Sequence, residues 1–492
     1  MVKPTIDDTS FLHTGIEGLD EIVGGGLIPN RLYLIEGDPG SGKTTLALQI
    51  LLKATQQGQR CMYVTLSETR EELDATAMSH GWNLDNLHVL EIIPSDESLR
   101  ADSRYTMFHP SEVELAETTK VVLAEAAKVK PALMVFDSLS ELRLLAESPL
   151  RYRRQILALK QRFARERCTV FFIDDRTGEH RDMHLHSLAH GVINLEREAS
   201  EYGTVRRRLH VSKLRGRGYR EGYHDMAIRH GGLQVFPRLV AAEHKTLYAR
   251  DSIKSGIAAL DQLLVGGLAK GTSTLIMGAV GTGKSSLATQ YARASAARGE
   301  KAAIYLFDET IATFLERSTG LGMNVEPMIE AGQILLRQID PAELSPGEFA
   351  HMVRSNVEHD GVRFIVIDSM SGYLQSVPSE HFMTLYLHEL LTYLGQQGVT
   401  TLLLITQHGI TGNMQVPIDT SYLADAVLLL RYFEAFGEIR QAISVVKKRT
   451  GRHERAIREM RFDNGIEIGE PITDFQGVLS GTPTFAGKSL GH

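Results

Sequence analysis

Short runs rich in β-branched and aromatic residues alternate along the chain with longer segments of helical apolar spacing. The runs fall near 31–36, 61–66, 87–93, 132–136 and 169–174, and a more antiparallel-looking segment follows at 206–213. Strands separated by helices predict a parallel sheet covered by helices on its faces. Periodicity lapses in the polar stretch 241–252, after which the same order of elements begins again. The reading is therefore an amino-terminal domain over 1–240, a second over 241–470 and a tail over 471–492, whose Gly, Ser and Thr carry no strong period.

The restart is a repeat. The segment from Thr14, TGIEGLDEIVGGGLIPNRLYLIEGDPGSGKTTLALQ, matches SGIAALDQLLVGGLAKGTSTLIMGAVGTGKSSLATQ from Ser255 in one ungapped register. Gly15 and Gly256, Asp20 and Asp261, Lys43 and Lys284, and Glu68 and Glu309 are all 241 residues apart. Asp137 and Asp368 are only 231 apart, so the first copy holds extra residues somewhere in 81–130.

Composition narrows the class. The 492 residues are too many for one ordinary core, and 43% apolar with 23% charged residues suits a globular protein. No segment approaches the ~18 continuous apolar residues of a membrane span, and the opening lacks the apolar run of a secretory signal, so a cytoplasmic location is expected. Cys61 and Cys168 lie in apolar runs without paired spacing and are read as buried thiols. A formal net charge of −7 argues against nucleic acid as the partner, since phosphate binding rests on Lys and Arg.

Chemistry concentrates after the first strand of each copy. Gly37-Asp-Pro-Gly-Ser-Gly42-Lys43-Thr44 and Gly278-Ala-Val-Gly-Thr-Gly283-Lys284-Ser285 both read GxxxxGK[ST] between a strand and a helix, the P-loop pattern for nucleoside triphosphates. Backbone amides wrap the phosphates, the lysine reaches the β- and γ-phosphates, and Thr44 or Ser285 ligates Mg2+. Gly37, Gly40, Ser41, Gly42, Lys43, Thr44 and Thr45, with Gly278, Gly281, Thr282, Gly283, Lys284, Ser285 and Ser286, form the two candidate ATP sites. PALMVFDS and VRFIVIDS end apolar strands in Asp137 and Asp368, which suit the acid that holds Mg2+ through water. Hydrolysis also needs a carboxylate to orient and deprotonate the attacking oxygen, and Ser67-Glu68-Thr69 and Asp308-Glu309-Thr310 stand at the next strand ends.

With two P-loops, these acidic positions and a Lys-x-Arg element in each copy, Lys213-Leu214-Arg215 and Lys447-Lys448-Arg449, nearly the whole chain resembles the KaiC family. The resemblance implies an α/β fold of two tandem RecA-like P-loop NTPase domains, each a mainly parallel twisted sheet flanked by helices. It implies a homohexameric ring in which Lys213, Leu214, Arg215, Lys447, Lys448 and Arg449 reach the neighbouring subunit's nucleotide. Glu68, Asp308 and Glu309 carry over as catalytic carboxylates. Ser67 departs from the family's acidic pair, so lobe two, which keeps Asp308, is expected to be the more active. The family's second lobe is a serine/threonine autokinase, and Ser421 in Asp419-Thr420-Ser421-Tyr422 aligns with its phosphoacceptor serine, while Tyr422 replaces the threonine. A small regulatory protein or a signalling kinase is the further partner implied.

Other readings stay open. A RecA- or RadA-like DNA-dependent ATPase shares the fold, and a nucleotide-gated scaffold with little turnover fits Ser67. His180, His184, His186 and His190 form the one histidine cluster; metal ligation is weighed against a loop facing solvent or a pore, and the loop is preferred. Arg206, Arg207 and Arg208 read as a strand with an exposed face.

Overall fold

A computed structural model describes residues 11–92, 110–146, 148–176, 183–199, 203–375, 380–407, 423–462, 465–480 and 483–485. The chain divides into two units, Met1–Arg238 and Leu239–His492. The first is built on β1 (Leu32–Gly37), β2 (Cys61–Thr65), β3 (His88–Glu91), β4 (Leu133–Asp137), β5 (Thr169–Asp175), β6 (Gly191–Glu198), β7 (Arg206–Leu214), β8 (His224–Arg229) and β9 (Gly232–Phe236). They form one sheet in the order β3-β2-β4-β5-β1-β6-β7-β8-β9. Pairing is parallel from β3 through β6 and antiparallel from β6 through β9.

The second unit opens with a short pair, β10 (Ser252–Ile253) and β11 (Leu268–Ala269). Its main strands are β12 (Ser273–Gly278), β13 (Lys301–Leu306), β14 (Ile334–Gln338), β15 (Val362–Asp368), β16 (Thr400–Thr406), β17 (Ala426–Ala435), β18 (Glu438–Lys448), β19 (Arg458–Arg461) and β20 (Glu467–Pro471). Their order, β14-β13-β15-β16-β12-β17-β18-β19-β20, is that of the first sheet. The repeat seen in the sequence is thus a repeat of topology, and both units are mainly parallel sheets flanked by helices.

β1 is central and buried at every position, because both of its faces are covered. Tyr33 and Ile35 face one core with Leu46, Ile50 and Leu51 of the helix Lys43–Gln56. Leu32 and Leu34 face another with Ile156, Leu159 and Phe163 of the helix Pro149–Arg165. Full burial of each large apolar side chain contributes roughly 1.5–3 kcal/mol, so this double cover fixes the strand that carries the phosphate turn.

The stretch 241–252, read as the start of the second domain, is strapped to the second unit: the Ala241 amide donates to Glu389 Oε2 at 3.0 Å and Thr246 Oγ1 to the Gln396 carbonyl at 3.0 Å. Two expectations change. The tail carries structure, a small pair of β21 (Phe475–Gln476) and β22 (Thr484–Phe485), with Phe475 and Phe485 packed against Phe436. The histidine segment is helical at Met183–Leu188, and His186 Nε2 lies 2.8 Å from both oxygens of buried Glu36. Pairing with a buried carboxylate leaves that ring half-buried. Among the described residues no cluster of His, Cys, Asp or Glu could hold a metal ion. Cys61 and Cys168 are free and buried, as expected. Among the described residues no helix is long and apolar enough to cross a membrane.

Candidate nucleotide sites

β1 and β12 each run straight into a glycine-rich turn. Gly42 and Gly283, with φ of 103° and 89°, are the N-caps of the helices Lys43–Gln56 and Lys284–Ala297. A Cβ on Gly42 would stand 2.6 Å from Ile228 Cδ1 and one on Gly283 2.0 Å from Phe462 Cζ, so space and backbone both demand glycine. The first amides of each helix, and the positive end of its dipole, face the turn as a phosphate site requires. Gly37, Gly40, Ser41 and Thr45 in one turn, and Gly278, Gly281, Thr282 and Ser286 in the other, complete the two loops.

The lysines curl back over their loops. Lys43 Nζ donates to the carbonyls of Gly37 at 2.9 Å and Asp38 at 3.0 Å; Lys284 Nζ donates to those of Gly278 at 3.0 Å and Ala279 at 2.7 Å. There the copies part. Lys43 also pairs with Asp175 Oδ1 at 2.6 Å. Asp175 stands beside Gly37 in the sheet, and beside Gly278 the same place is filled by Thr406. Among the described residues Lys284 has no such carboxylate, and burial pushes its ammonium down to about 8, with Asp368 acting the other way.

Thr44 Oγ1 donates to Asp137 Oδ2 at 3.1 Å, and the buried Tyr63 hydroxyl donates to the same oxygen at 2.5 Å. In the second copy Ser285 and Asp368 hold these two positions, and Ile304 takes the place of Tyr63. Burial raises both carboxyls above the usual range; Tyr63 and Thr44 oppose it at Asp137, and Ser285 and Arg317 oppose it at Asp368.

The third carboxylate differs most. Glu68 follows β2 in a turn fixed by Thr65 Oγ1, which accepts from the Glu68 amide at 2.9 Å and donates to its carbonyl at 2.7 Å. Its Oε2 is buried with no hydrogen-bond partner among the described residues. Burial, then the charges of Asp137 and Glu72, raise its pKa, while Lys43 opposes them. Glu309 is instead gripped by Arg317, whose Nη2 lies 2.8 Å from Oε2 and Nε 3.2 Å from Oε1. Arg317 Nη1 also reaches Ser286 Oγ at 3.3 Å. In the first copy's register Arg317 becomes Thr76. Asp308 is exposed and accepts a hydrogen bond from the Ser369 hydroxyl; Ser67 is exposed.

The structure thus gathers turn, lysine, hydroxyl and carboxylates in each unit, but it does not bring the basic elements to them. Leu214 pairs with Gly191, which pairs with Tyr33, four residues before Gly37. That is about 13 Å along the strands, at the far end of the sheet. Lys213 Nζ donates to the His186 carbonyl, and Arg215 Nη2 to that of Ser187 at 2.8 Å. In the second unit Lys447 Nζ donates to the Ala424 carbonyl at 2.8 Å, Lys448 Nζ to that of Gly267 at 3.1 Å, and Arg449 pairs with Asp425 at 3.7 Å. Asp419, Thr420, Ser421 and Tyr422 lie outside the described residues.

Sequence reasoning missed Asp175, Tyr63 and Arg317. Reading the two copies against each other beyond the P-loop would have flagged all three, because each is replaced by a residue of different chemistry.

A model of the KaiC ATPase family matches residues 12–240 and again 253–472. The chain is 26% identical over 494 residues to the circadian clock oscillator protein KaiC of Acaryochloris marina, covering 98% of this chain and 92% of that protein. To the circadian clock protein KaiC3 of Synechocystis it is 25% identical over 496 residues, covering 99% and 97%. To the KaiC of Synechococcus elongatus it is 26% identical over 485 residues, covering 96% and 92%.

Proposed function

The chain belongs to the KaiC family of ATPases, and from that membership we propose a ring-forming regulator that hydrolyses ATP and phosphorylates itself. Both lobes bind ATP with Mg2+. The carrying observation is that each unit joins a glycine turn, a lysine over it, and the hydroxyl residue that follows the lysine with a strand-end carboxylate, Thr44 bonded to Asp137 and Ser285 with Asp368 in the same positions. Hydroxyl and carboxylate oxygens are the hard donors Mg2+ takes, so these pairs fit the ion and would hold it. Bound there, Mg2+ would supply positive charge to offset the charge that develops on the transferring phosphoryl group.

Glu68 is the base of lobe one. An unpartnered carboxylate with a raised pKa accepts the proton of an attacking water more readily than one held by a guanidinium. The geometry therefore favours lobe one for hydrolysis, the reverse of the order expected from Ser67 alone. Lys43 leaves Asp175 to meet the phosphates, and Lys284 regains its full charge on doing so.

Copies assemble head to tail, six to a ring by family resemblance. Support comes from the placement of Lys213 and Arg215 at the sheet end opposite their own phosphate turn, out of reach of its nucleotide but open to another copy's. In lobe two Ser421 is the acceptor: its hydroxyl oxygen attacks the γ-phosphorus held by a neighbour, its proton passes to Asp308 or Glu309, the β–γ bridging bond breaks, and ADP leaves. Ser421 lies three residues before Ala424, whose carbonyl holds Lys447. The relatives named circadian clock proteins support a signalling role in which phosphorylation or ring state is the output.

Intact-mass measurement after incubation with Mg-ATP tests the kinase reading. About one added phosphate per chain is expected. Label absent from 419–425, or undiminished in Asp308→Asn/Glu309→Gln, contradicts it.

A further inference from the structure

Tyr63 makes a polar contact at a position that lobe two fills with an apolar side chain. On β2 it lies two residues before Thr65, and Thr65 pairs with Asp137 at the end of β4. Side chains two apart on a strand, and those paired across parallel strands, point the same way, so Tyr63, Thr65 and Asp137 share one face of the sheet. The ring is fully buried in the core that holds Leu46, Leu51 and Val135. Its hydroxyl donates to Asp137 Oδ2 at 2.5 Å, the same oxygen that Thr44 Oγ1 reaches at 3.1 Å. Among the described residues no donor reaches Oδ1. One oxygen of the carboxylate is held twice and the other is left over.

Lobe two shows that the fold does not call for a phenol here. Ile304 pairs with Val366 and Leu306 with Asp368, the register in which Tyr63 pairs with Val135 and Thr65 with Asp137. Ile304 is as buried as Tyr63 and has no hydrogen-bonding group. The adjacent Tyr305 cannot stand in for it: it belongs to the opposite core, where its hydroxyl donates to Asn356 Oδ1 at 2.7 Å. A buried hydroxyl costs desolvation that an isoleucine avoids, and here that cost is met only by the bond to Asp137. The contact is therefore a feature of the site, and packing alone does not explain it.

We infer that Tyr63 is a positioning residue of lobe one, whose hydroxyl fixes the Asp137 carboxylate by Oδ2 and so keeps Oδ1 available to the Mg2+ that accompanies the nucleotide. This role rests on the Mg-ATP reading of lobe one. Partners behind a metal-holding carboxylate set its orientation, and losing one typically costs about 10- to 100-fold in affinity for the ion. Thr44 shares its hydroxyl between the carboxylate and the ion, whereas Tyr63 stands behind the carboxylate and supports it from the core.

The test uses the full-length Lys284→Ala chain, so that lobe one dominates, with N-methylanthraniloyl-ADP as the fluorescent probe and MgCl2 added from a metal-free start. Mg2+ should tighten binding of the probe. Adding Tyr63→Phe should raise the Mg2+ concentration that gives half of this effect about tenfold, and leave metal-free affinity for the probe unchanged. Phenylalanine keeps the ring and its packing, and the metal-free affinity reports that the site is still folded. Turnover that the variant loses at low Mg2+ should return at saturating Mg2+, a rescue that a packing defect does not give. The role is overturned if the Mg2+ midpoint stays where it was, or if metal-free affinity falls as far as the Mg2+-dependent part. If binding to the Lys284→Ala chain ignores Mg2+ altogether, the Mg-ATP reading of lobe one fails and the role of Tyr63 fails with it; an unmoved midpoint in a chain that does respond to Mg2+ removes the role of Tyr63 alone.

Discussion

The two units share strand order, register and phosphate turns, yet their central strands differ in one layer. Across β5, β1 and β6 the in-register residues Asp174, Glu36 and Asn194 lie under the carboxyl end of the lobe-one sheet; in lobe two they are Ile405, Met277 and Leu429. Lobe one fills that layer with partners: Arg143 and Ser140 on Asp174, His186 on Glu36, Ser212 on Asn194. A buried polar layer is tolerated only when its members are bonded, and here they are. The difference reaches the sites themselves. Among the described residues, lobe one has an ion-paired lysine and an unpartnered glutamate, and lobe two has an unpaired lysine and a gripped glutamate. A duplicated fold has thus kept its frame and divided its chemistry.

The division breaks most sharply at the base. Glu68→Gln should cost lobe one about 10²- to 10⁴-fold in hydrolysis, as loss of a general base does. Glu309→Gln should cost total ATPase far less, and Arg317→Ala should raise lobe-two turnover, measured in chains carrying Lys43→Ala. Equal losses from the two glutamate substitutions would erase the distinction.

A smaller effect sharpens it at the lysines. Asp175→Asn removes the partner Lys43 must leave, and should tighten lobe-one ATP binding about fivefold, the ~1 kcal/mol of a partly exposed pair. Nucleotide titrations of the Lys284→Ala chain measure this.

The smallest is a proton. The folded pKa of Lys284 is depressed, to about 8 from 10.5, so between those values the unfolded chain binds more protons and stability of the second unit rises with pH. Phosphates favour the ammonium, so ATP binding to lobe two near pH 8 should take up about half a proton. Calorimetry in two buffers of different ionisation heat reads the uptake, and Lys284→Arg should abolish it.

The frame was legible in the sequence because glycine turns, strand-end acids and a 241-residue offset are local signals. Asp137 and Asp368 fell where the apolar runs ended. What stayed hidden depended on side chains meeting across elements: Arg317 joins Glu309 only once a helix Ile311–Gly320 forms, and Asp175 joins Lys43 only across β1 and β5. His186 read as loop because its partner, Glu36, is 150 residues away. Ser67 drew attention to a missing acid and away from the neighbour that remained free.

ATP turnover by Lys43→Ala and Lys284→Ala, each with assembly verified by light scattering, tests the division of labour most directly. Lys43→Ala should remove the larger share of ATPase activity, and Lys284→Ala should leave the larger share in place. The reverse result, activity lost with Lys284 and kept without Lys43, would contradict the assignment of hydrolysis to lobe one.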